Sequence, residues 1–408
     1  MATIKPMIAA DFSQVVYDVL NMESVSKFVK TSLYKFRNQI DINPARIDIG
    51  HGKTGGPGIL KSRTAFCFVA RGKNQYQGHL FIVFRGTTMS YAGDWLSNAN
   101  NTFGKSAANS TVHDGFSKIF KSIQADLEAK VTQSLTGIHT VHCIGHSLGG
   151  ALATLCAEYI ICKRAALQVY LYSFGAPRPG LPDFGWKLTT KLNASHIKRV
   201  YHRTDPVPLV PYWPFIQVPY GPNAWKNHDH ELPSAGEFPH PAWHRMEHYI
   251  KSVEGSTWQN LAAKTHVVDP EFVAKQWLNQ KGVFAFTPTN CRKLNIALNF
   301  VLSLLARAAA TKATIFAYRV NQKVDSYYSA VDNIAKTLSK GIVIADLVSE
   351  WVFKLLVRMM SMLGMKPIGD KIQATEQKIR EILINFNNRI RLQAQTAIDQ
   401  VLVQGNAA

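Results

Sequence analysis

The sequence is poor in acidic residues. It carries 27 Asp and Glu against 46 Lys and Arg, a formal net charge of +19 over 408 residues. Such a charge attracts polyanions, either nucleic acid or a membrane surface that contains acidic lipids. No zinc-finger ligand spacing and no aromatic RNA-binding motif accompanies it, so we expect no nucleic-acid partner and favour an anionic membrane surface.

Cysteine is also scarce, with five residues, an odd number, and most of them lie in apolar runs. This pattern favours buried free thiols over a disulfide framework. The first 14 residues lack a basic segment followed by a long apolar core, so no secretory signal is visible. We therefore expect synthesis in a reducing cytosol, with export by a signal-independent route as a further possibility.

Long uncharged apolar runs are missing as well. A membrane-spanning helix requires roughly 18 such residues, and the apolar patterns after about residue 289 are interrupted by charges such as Arg307, Asp346 and Arg358. Proline and glycine become rare there, which predicts two regions, 1–288 and 289–408. The second is helical and basic, and we expect either a bundle packed on itself or on the core, or a peripheral element that docks on a membrane.

The first region alternates short β-branched or aromatic runs with helical patterns. This alternation predicts an α/β fold, a mostly parallel sheet with helices on both faces. A glycine-rich stretch, Gly50 to Gly58, is interpreted as a loop. The predicted strands are Thr64–Ala70, His79–Arg85, Thr140–Ile144, Gln168–Phe174 and Lys198–His202, and the main predicted helices between them are Phe116–Thr132 and Leu148–Ile161.

A Gly-X-Ser-X-Gly pattern centred on Ser147 carries the chemistry. A predicted strand runs into a predicted helix through Gly145-His146-Ser147-Leu148-Gly149. The turn is so sharp that the serine adopts a strained backbone, and its neighbours must be small. This lifts the hydroxyl to the sheet edge at a helix N-terminus, whose dipole favours negative charge. The pattern in this context predicts a nucleophilic serine.

A serine nucleophile requires a base and an orienting carboxylate, which follow it in the order Asp, His in α/β-hydrolases. Asp205 comes just beyond a predicted strand, where a loop would present it beside the serine, and Asp183 is a weaker candidate. His240, His244 and His248 compete for the base, and their order alone does not choose between them.

Oxyanion stabilisation requires two hydrogen-bond donors. One is expected from the backbone N–H of Leu148, which follows the nucleophile. The loop after the strand His79–Arg85 offers the other, Thr87.

Several motifs together resemble the class 3 (fungal triacylglycerol-type) lipases, over about Thr64 to Tyr249. They are Phe84-Arg85-Gly86-Thr87, His113-Asp114-Gly115-Phe116, Gly145-His146-Ser147-Leu148-Gly149-Gly150, Phe174-Gly175-Ala176-Pro177-Arg178 and Asp205-Pro206-Val207-Pro208. The family histidine stands a few residues before a tyrosine, so the resemblance selects His244 and leaves His248 aside. It also implies Thr87 as an oxyanion donor and a lid over about Ser90–Asn101.

The resemblance implies a cofactor-free serine hydrolase of lipid acyl esters. The charge favours a phospholipase A-type acyl hydrolase on membrane phospholipid, with a triacylglycerol or diacylglycerol lipase as the alternative. A further conjecture is a bacterial antibacterial lipase effector, whose producer would require a neutralising immunity protein.

Two distant alternatives come from other protein classes. His244-Arg245-Met246-Glu247-His248 matches a zinc-hydrolase signature, with Glu254 or Glu271 as a further ligand. That interpretation leaves Ser147, Asp205 and the Arg-Gly-Thr segment unexplained. The other alternative is an inactive hydrolase fold used for binding, which the presence of every triad candidate disfavours.

Overall fold

The computed structural model describes residues 3–54, 62–86, 103–221, 228–263, 269–311, 327–344, 346–366, 368–371 and 374–404. A seven-stranded sheet lies at the centre of the fold. Its strands are β1 Ile47–Thr54, β2 Ser62–Arg71, β3 His79–Phe84, β6 Thr140–His146, β7 Gln168–Phe174, β8 Ile197–His202 and β9 Asp229–Leu232, and a separate hairpin consists of β4 Phe103–Lys105 and β5 Thr111–His113. The strand order in the sheet is β1-β2-β3-β6-β7-β8-β9. The pairs β1–β2 and β2–β3 are antiparallel, and the four remaining neighbouring pairs are parallel.

The α-helices cover both faces of this sheet, as the sequence predicts. Alternate residues of β3 contribute to different sides: Leu80 and Ile82 join one buried cluster, and Phe81 and Val83 join the other. The helices are α1 Pro6–Val15, α2 Val25–Phe28, α3 Asp114–Ser134, α4 Leu148–Lys163, α5 Pro182–Leu192, α6 Met246–Val253, α7 Trp258–Ala263, α8 Pro270–Asn279, α9 Pro288–Thr311, α10 Tyr327–Ile344, α11 Asp346–Leu363 and α12 Glu376–Gln404.

The interpretation of Gly50 to Gly58 as a loop is wrong for its first part, because β1 continues to Thr54. Gly50 pairs with Cys67 on β2, and a Cβ atom built on Gly50 would lie 2.3 Å from the Cys67 Sγ atom. Glycine at this position therefore leaves room for the Cys67 side chain of the paired strand rather than forming a turn. All five cysteines are free; four of them are buried, as expected, and Cys162 is half-buried.

The helices after residue 288 pack against the rest of the protein. Apolar side chains of α9, α11 and α12, such as Leu294, Val352 and Phe386, belong to the same buried cluster as Leu152 of α4. Helix α12 contacts the short helical turns Val207–Leu209 and Pro241–His244. The apolar stripes seen in the sequence are thus buried within the fold. Over the described residues, no helix is long and apolar enough to cross a membrane.

Buried histidines predict a loss of stability in acid. His113 is 1% exposed, its ring packs against those of Phe116 and Phe215, and burial lowers its pKa from 6.5 to about 4. Between these values the unfolded chain binds the proton and the folded chain does not. The stability that neutral His113 contributes is therefore complete above pH ~6.5 and is lost as the pH falls toward ~4.

We expect the free energy of unfolding of the wild-type protein to fall between pH 7 and pH 5. In His113→Phe that fall is expected to be smaller by about 2 kcal/mol, because the titrating group is gone. Urea denaturation at the two pH values measures the difference. An equal fall in both proteins would show that His113 titrates in the folded state as it does in the unfolded one.

Candidate active site

Ser147 lies at a sharp turn between β6 and α4. Its backbone has φ 55° and ψ −134°, in the left-handed half of conformational space that non-glycine residues rarely adopt. The main-chain N–H of Ser147 donates to the Phe174 carbonyl at 2.9 Å. A Cβ on Gly145 would lie 2.2 Å from the Gly149 carbonyl oxygen, and one on Gly149 would lie 2.3 Å from that of Phe84. The two glycines therefore make the strained turn sterically possible.

The three residues predicted as a triad lie in one hydrogen-bonded chain. The His244 Nε2 atom is 2.9 Å from the Ser147 Oγ atom, and the His244 Nδ1 atom is 2.8 Å from Asp205 Oδ2. All three side chains are buried, with Asp205 0% exposed. The carboxylate accepts from Nδ1–H, which leaves Nε2 free to accept the serine proton. This arrangement can generate a nucleophilic hydroxyl.

The Asp205 carboxylate has two further partners that hold it in place. Tyr249 on α6 donates its hydroxyl to Oδ2 at 2.6 Å, and the Val207 N–H donates to Oδ1 at 2.9 Å. Burial, followed by the charge of Asp205, raises the pKa of Tyr249 well above its ordinary value, so this hydroxyl remains a donor. In the sequence this tyrosine serves only to align His244, and its bond to Asp205 becomes visible in the structure.

A second hydrogen-bonded chain holds the main chain of His244. Tyr17 donates its hydroxyl to His146 Nδ1 at 2.8 Å, and His146 Nε2–H donates to the His244 carbonyl at 2.7 Å. Burial and then the proximity of His244 lower the pKa of His146 well below its ordinary value, which keeps the ring neutral and this donor pattern fixed. A Cβ on Gly86 would lie 2.1 Å from the Tyr17 hydroxyl oxygen. Tyr17 thus connects the end of β3 to the main chain of His244.

Replacing Tyr17 with phenylalanine is expected to lower kcat for a soluble ester by about tenfold, with KM changed by less than about twofold. Removal of the hydroxyl leaves His146 Nδ1 without a donor in a buried site, at a cost of about 1–3 kcal/mol, part of which disturbs the backbone of His244. Steady-state kinetics measure both constants. Tyr76→Phe, which alters a buried tyrosine elsewhere on the same side of the sheet, serves as the control. A kcat equal to that of the control would contradict a role for the Tyr17 chain.

The structure describes one of the two predicted oxyanion donors, Leu148, and does not describe the other, Thr87. Leu148 is the first residue of α4, so its N–H lies at a helix N-terminus beside Ser147. Thr87 and the predicted lid, Ser90–Asn101, lie outside the described residues. Arg85, two positions before Thr87, is 1% exposed and donates to the carbonyls of Ala65 and Gly86 at 2.6 Å and 2.8 Å. Those bonds fix the main chain that leads into the Thr87 segment.

Part of this site lies in a stretch of the chain that is similar to a known protein family. A family model described as Lipase (class 3) matches residues 81–215, which include Ser147 and Asp205.

Residues 81–215 are thus similar to the class 3 lipases, and this range is called the class 3 lipase segment for that similarity. The chain is 33% identical over 138 residues to secreted mono- and diacylglycerol lipase 1 of Fusarium solani, covering 32% of this chain and 40% of that protein. It is 31% identical over 167 residues to a lipase of Rhizomucor miehei, covering 38% of this chain and 44% of that protein. The match therefore spans less than half the length of these relatives.

Solved lipase structures are similar over a larger share of this chain. The triacylglyceride lipase of Rhizomucor miehei matches with 20% identity and a TM-score of 0.37, covering 56% of this chain and 78% of that one. The mono- and diacylglycerol lipase of Aspergillus oryzae matches with 16% identity and a TM-score of 0.39, covering 57% and 80% of the two chains.

Two residues that the sequence offers as alternatives to Asp205 and His244 have other partners. Asp183 Oδ2 accepts from the Thr111 N–H at 2.9 Å, at the start of α5. The His248 ring is tilted against that of Trp243, with the ring centres 4.8 Å apart, and its Nε2 atom lies 3.7 Å from the Glu247 carboxylate.

The zinc interpretation meets a geometric obstacle at His244. Both of its ring nitrogens already bond to Ser147 and Asp205, which leaves neither for a metal shared with His248. Within the described part of the chain, no three His, Cys, Asp or Glu side chains are grouped as metal ligands.

Proposed function

We propose that the protein is a serine-dependent carboxylic ester hydrolase that acts on lipid acyl esters. One observation carries this proposal: Ser147, His244 and Asp205 form a continuous hydrogen-bonded chain at a strained strand–helix turn. The class 3 lipase segment supports the same chemistry.

The mechanism follows from the donor and acceptor pattern. His244 Nε2 takes the proton from the Ser147 hydroxyl as its oxygen attacks the acyl carbonyl. The Leu148 N–H and, as the resemblance implies, Thr87 stabilise the oxyanion. His244 then protonates the leaving alcohol, and an acyl-serine remains. Water, deprotonated by His244, attacks the acyl-serine and releases a fatty acid, which restores Ser147. Asp205 holds the imidazole tautomer throughout, and the reaction requires no cofactor.

For the substrate we propose phospholipid in an anionic bilayer. The net charge of +19 supports it, because basic residues near an anionic surface contribute about 1 kcal/mol each to binding. Phe238, six residues before His244, is 62% exposed, and Trp186, next to Lys187, is 52% exposed. Exposed aromatic residues of this kind favour the interfacial zone of a membrane. The alternative substrate, a mono-, di- or triacylglycerol, follows the names of the relatives.

Fatty-acid release from vesicles tests the substrate directly. We expect faster hydrolysis of phosphatidylglycerol-containing vesicles than of phosphatidylcholine vesicles or a triacylglycerol emulsion, with the advantage reduced in 0.5 M salt because screening weakens surface attraction. Ser147→Ala sets the background. Phe238→Ser should lower vesicle hydrolysis and leave a soluble ester unaffected, whereas Tyr34→Ser, at a residue with 54% exposure, is the matched control. A faster rate on the emulsion would replace phospholipid by neutral glyceride.

An enzyme with this activity would hydrolyse the membrane phospholipid of the cell that produces it. We therefore extend the proposal to an enzyme exported by a signal-independent route against a neighbouring bacterium, with a neutralising partner in the producer. Expression in the bacterial periplasm should be toxic for the active protein and harmless for Ser147→Ala. Equal growth of both strains would contradict this part of the proposal alone.

A further inference from the structure

We infer that Arg292, at the start of α9, is a positioning residue for the Asp205 and His244 loops, so that the helical region after residue 288 takes part in aligning the triad. The inference rests on the proposed function. It concerns a residue outside the class 3 lipase segment, which ends at residue 215.

Arg292 contacts the end of β8 and its neighbour β9 in three ways. Its Nη2 atom donates to the Arg203 carbonyl at 2.8 Å and lies 3.3 Å from the Glu231 carboxylate. Its guanidinium also lies over the Tyr201 ring, 5.3 Å from the ring centre. The side chain is 20% exposed. A hydrogen bond from a charged donor is stronger than one from a neutral donor, so Arg292 holds the main chain of Arg203 in place.

The backbone held by Arg292 leads directly to both triad loops. Asp205 follows Arg203 by two positions, and its N–H donates to the His202 carbonyl in a tight turn. The carbonyl of Thr204, the residue between Arg203 and Asp205, accepts a hydrogen bond from the His240 N–H at 3.0 Å. His240 precedes the helical turn that ends at His244. A shift of residues 203–204 would therefore displace the carboxylate and the segment that carries the imidazole together.

Further contacts stabilise the interface between the C-terminal helices and the loops that carry Asp205 and His244. The Tyr212 hydroxyl donates to the Cys291 carbonyl at 3.0 Å, and the Tyr212 ring lies 5.1 Å from that of Phe386 on α12. Helix α12 also packs against the turns that follow Asp205 and that include His244. The C-terminal helices thus contact the acid and base loops at several points, and Arg292 provides a charged contact among them.

The helical region offers a matched control for Arg292. Arg358 on α11 is 8% exposed, donates to the Leu278 and Gly282 carbonyls, and stacks on Phe284 at 3.9 Å. Like Arg292, it donates to a backbone carbonyl and lies over an aromatic ring, but those contacts are with residues 278–284 rather than with the end of β8. A purely structural contribution from either arginine would lower stability, whereas only Arg292 is placed to alter the geometry of the triad.

The test compares Arg292→Met, Arg292→Lys and Arg358→Met in the full chain, with a soluble nitrophenyl ester and thermal unfolding measured on the same samples. We expect Arg292→Met to lower kcat by about tenfold to a hundredfold with KM changed by less than about twofold, because misplacement of catalytic groups by ~1 Å costs up to about a hundredfold. Arg292→Lys should restore part of the loss, and Arg358→Met should keep the wild-type kcat even where its Tm falls.

Equal kcat values for the two methionine variants would overturn the inference. Should Arg292→Met fail to fold, Glu231→Gln decides, since it removes only the ion pair that orients the guanidinium. A fall in kcat of about threefold would then support the inference, and an unchanged kcat would overturn it. Failure of the proposed function is a separate result: undiminished ester hydrolysis by Ser147→Ala, whatever the arginine variants do.

Discussion

Replacing Ser147 with alanine is expected to lower kcat for a soluble nitrophenyl ester by about a millionfold, to a residual rate set by binding and the oxyanion donors alone. The reason is geometric: the Ser147 Oγ atom is the group that His244 Nε2 contacts, at 2.9 Å, and alanine offers no atom to attack the ester. Because the side chain is small and 4% exposed, the fold should be unaffected. Initial rates over a range of ester concentrations measure the loss.

Ser117→Ala is the matched control for this experiment. Ser117 is a buried serine on α3 whose hydroxyl donates to the Lys105 carbonyl at 2.9 Å, outside the hydrogen-bonded chain of the triad. We expect its kcat to stay within about twofold of wild type. Activity in Ser147→Ala within about tenfold of wild type would contradict a serine mechanism and would return attention to another nucleophile or to a metal-activated water.

Asp205→Asn is expected to lower kcat by about ten-thousandfold while KM changes little. Asp205 Oδ2 accepts from both His244 Nδ1–H and the Tyr249 hydroxyl, and Oδ1 accepts from the Val207 N–H. An amide cannot accept at both positions, since its NH₂ group only donates. The imidazole would then favour the tautomer with hydrogen on Nε2, which cannot accept the serine proton.

Two further substitutions make the Asp205 result specific. Tyr249→Phe removes one donor and leaves the carboxylate paired with His244, so a loss of only about tenfold in kcat is expected. Asp183→Asn alters the weaker candidate carboxylate, which accepts from the Thr111 N–H, and should leave kcat within about twofold of wild type. A larger loss in Asp183→Asn than in Asp205→Asn would make Asp183 the orienting acid.

The parts of the site that the sequence predicts are those with local signals. Ser147 is marked by glycines two positions away on either side, and Asp205 by the strand that ends just before it. His244 required the family resemblance, because three histidines within nine residues satisfy the same order. The structure brings Ser147, Asp205 and His244 together, whereas the role of Thr87 stays a prediction.

The supporting residues had no such signal. Tyr17 lies 129 positions from His146, and Arg292 lies 89 positions from Arg203. A contact between distant residues leaves no periodicity or spacing in one sequence, since it depends on how the elements pack. For the fold, the sequence predicts the buried strands β3, β6, β7 and β8 to within a few residues. It does not predict the polar strand β9, because Asp229-His230-Glu231-Leu232 lacks the composition of a strand.

The central claim is that Ser147 is the nucleophile, and covalent labelling with a fluorophosphonate followed by peptide mass spectrometry tests it most directly. We predict a single phosphonyl adduct on Ser147 in the wild-type protein, complete loss of ester hydrolysis in step with labelling, and no adduct in Ser147→Ala. An adduct on another residue, or continued hydrolysis by protein that carries no adduct after exhaustive treatment, would contradict the account.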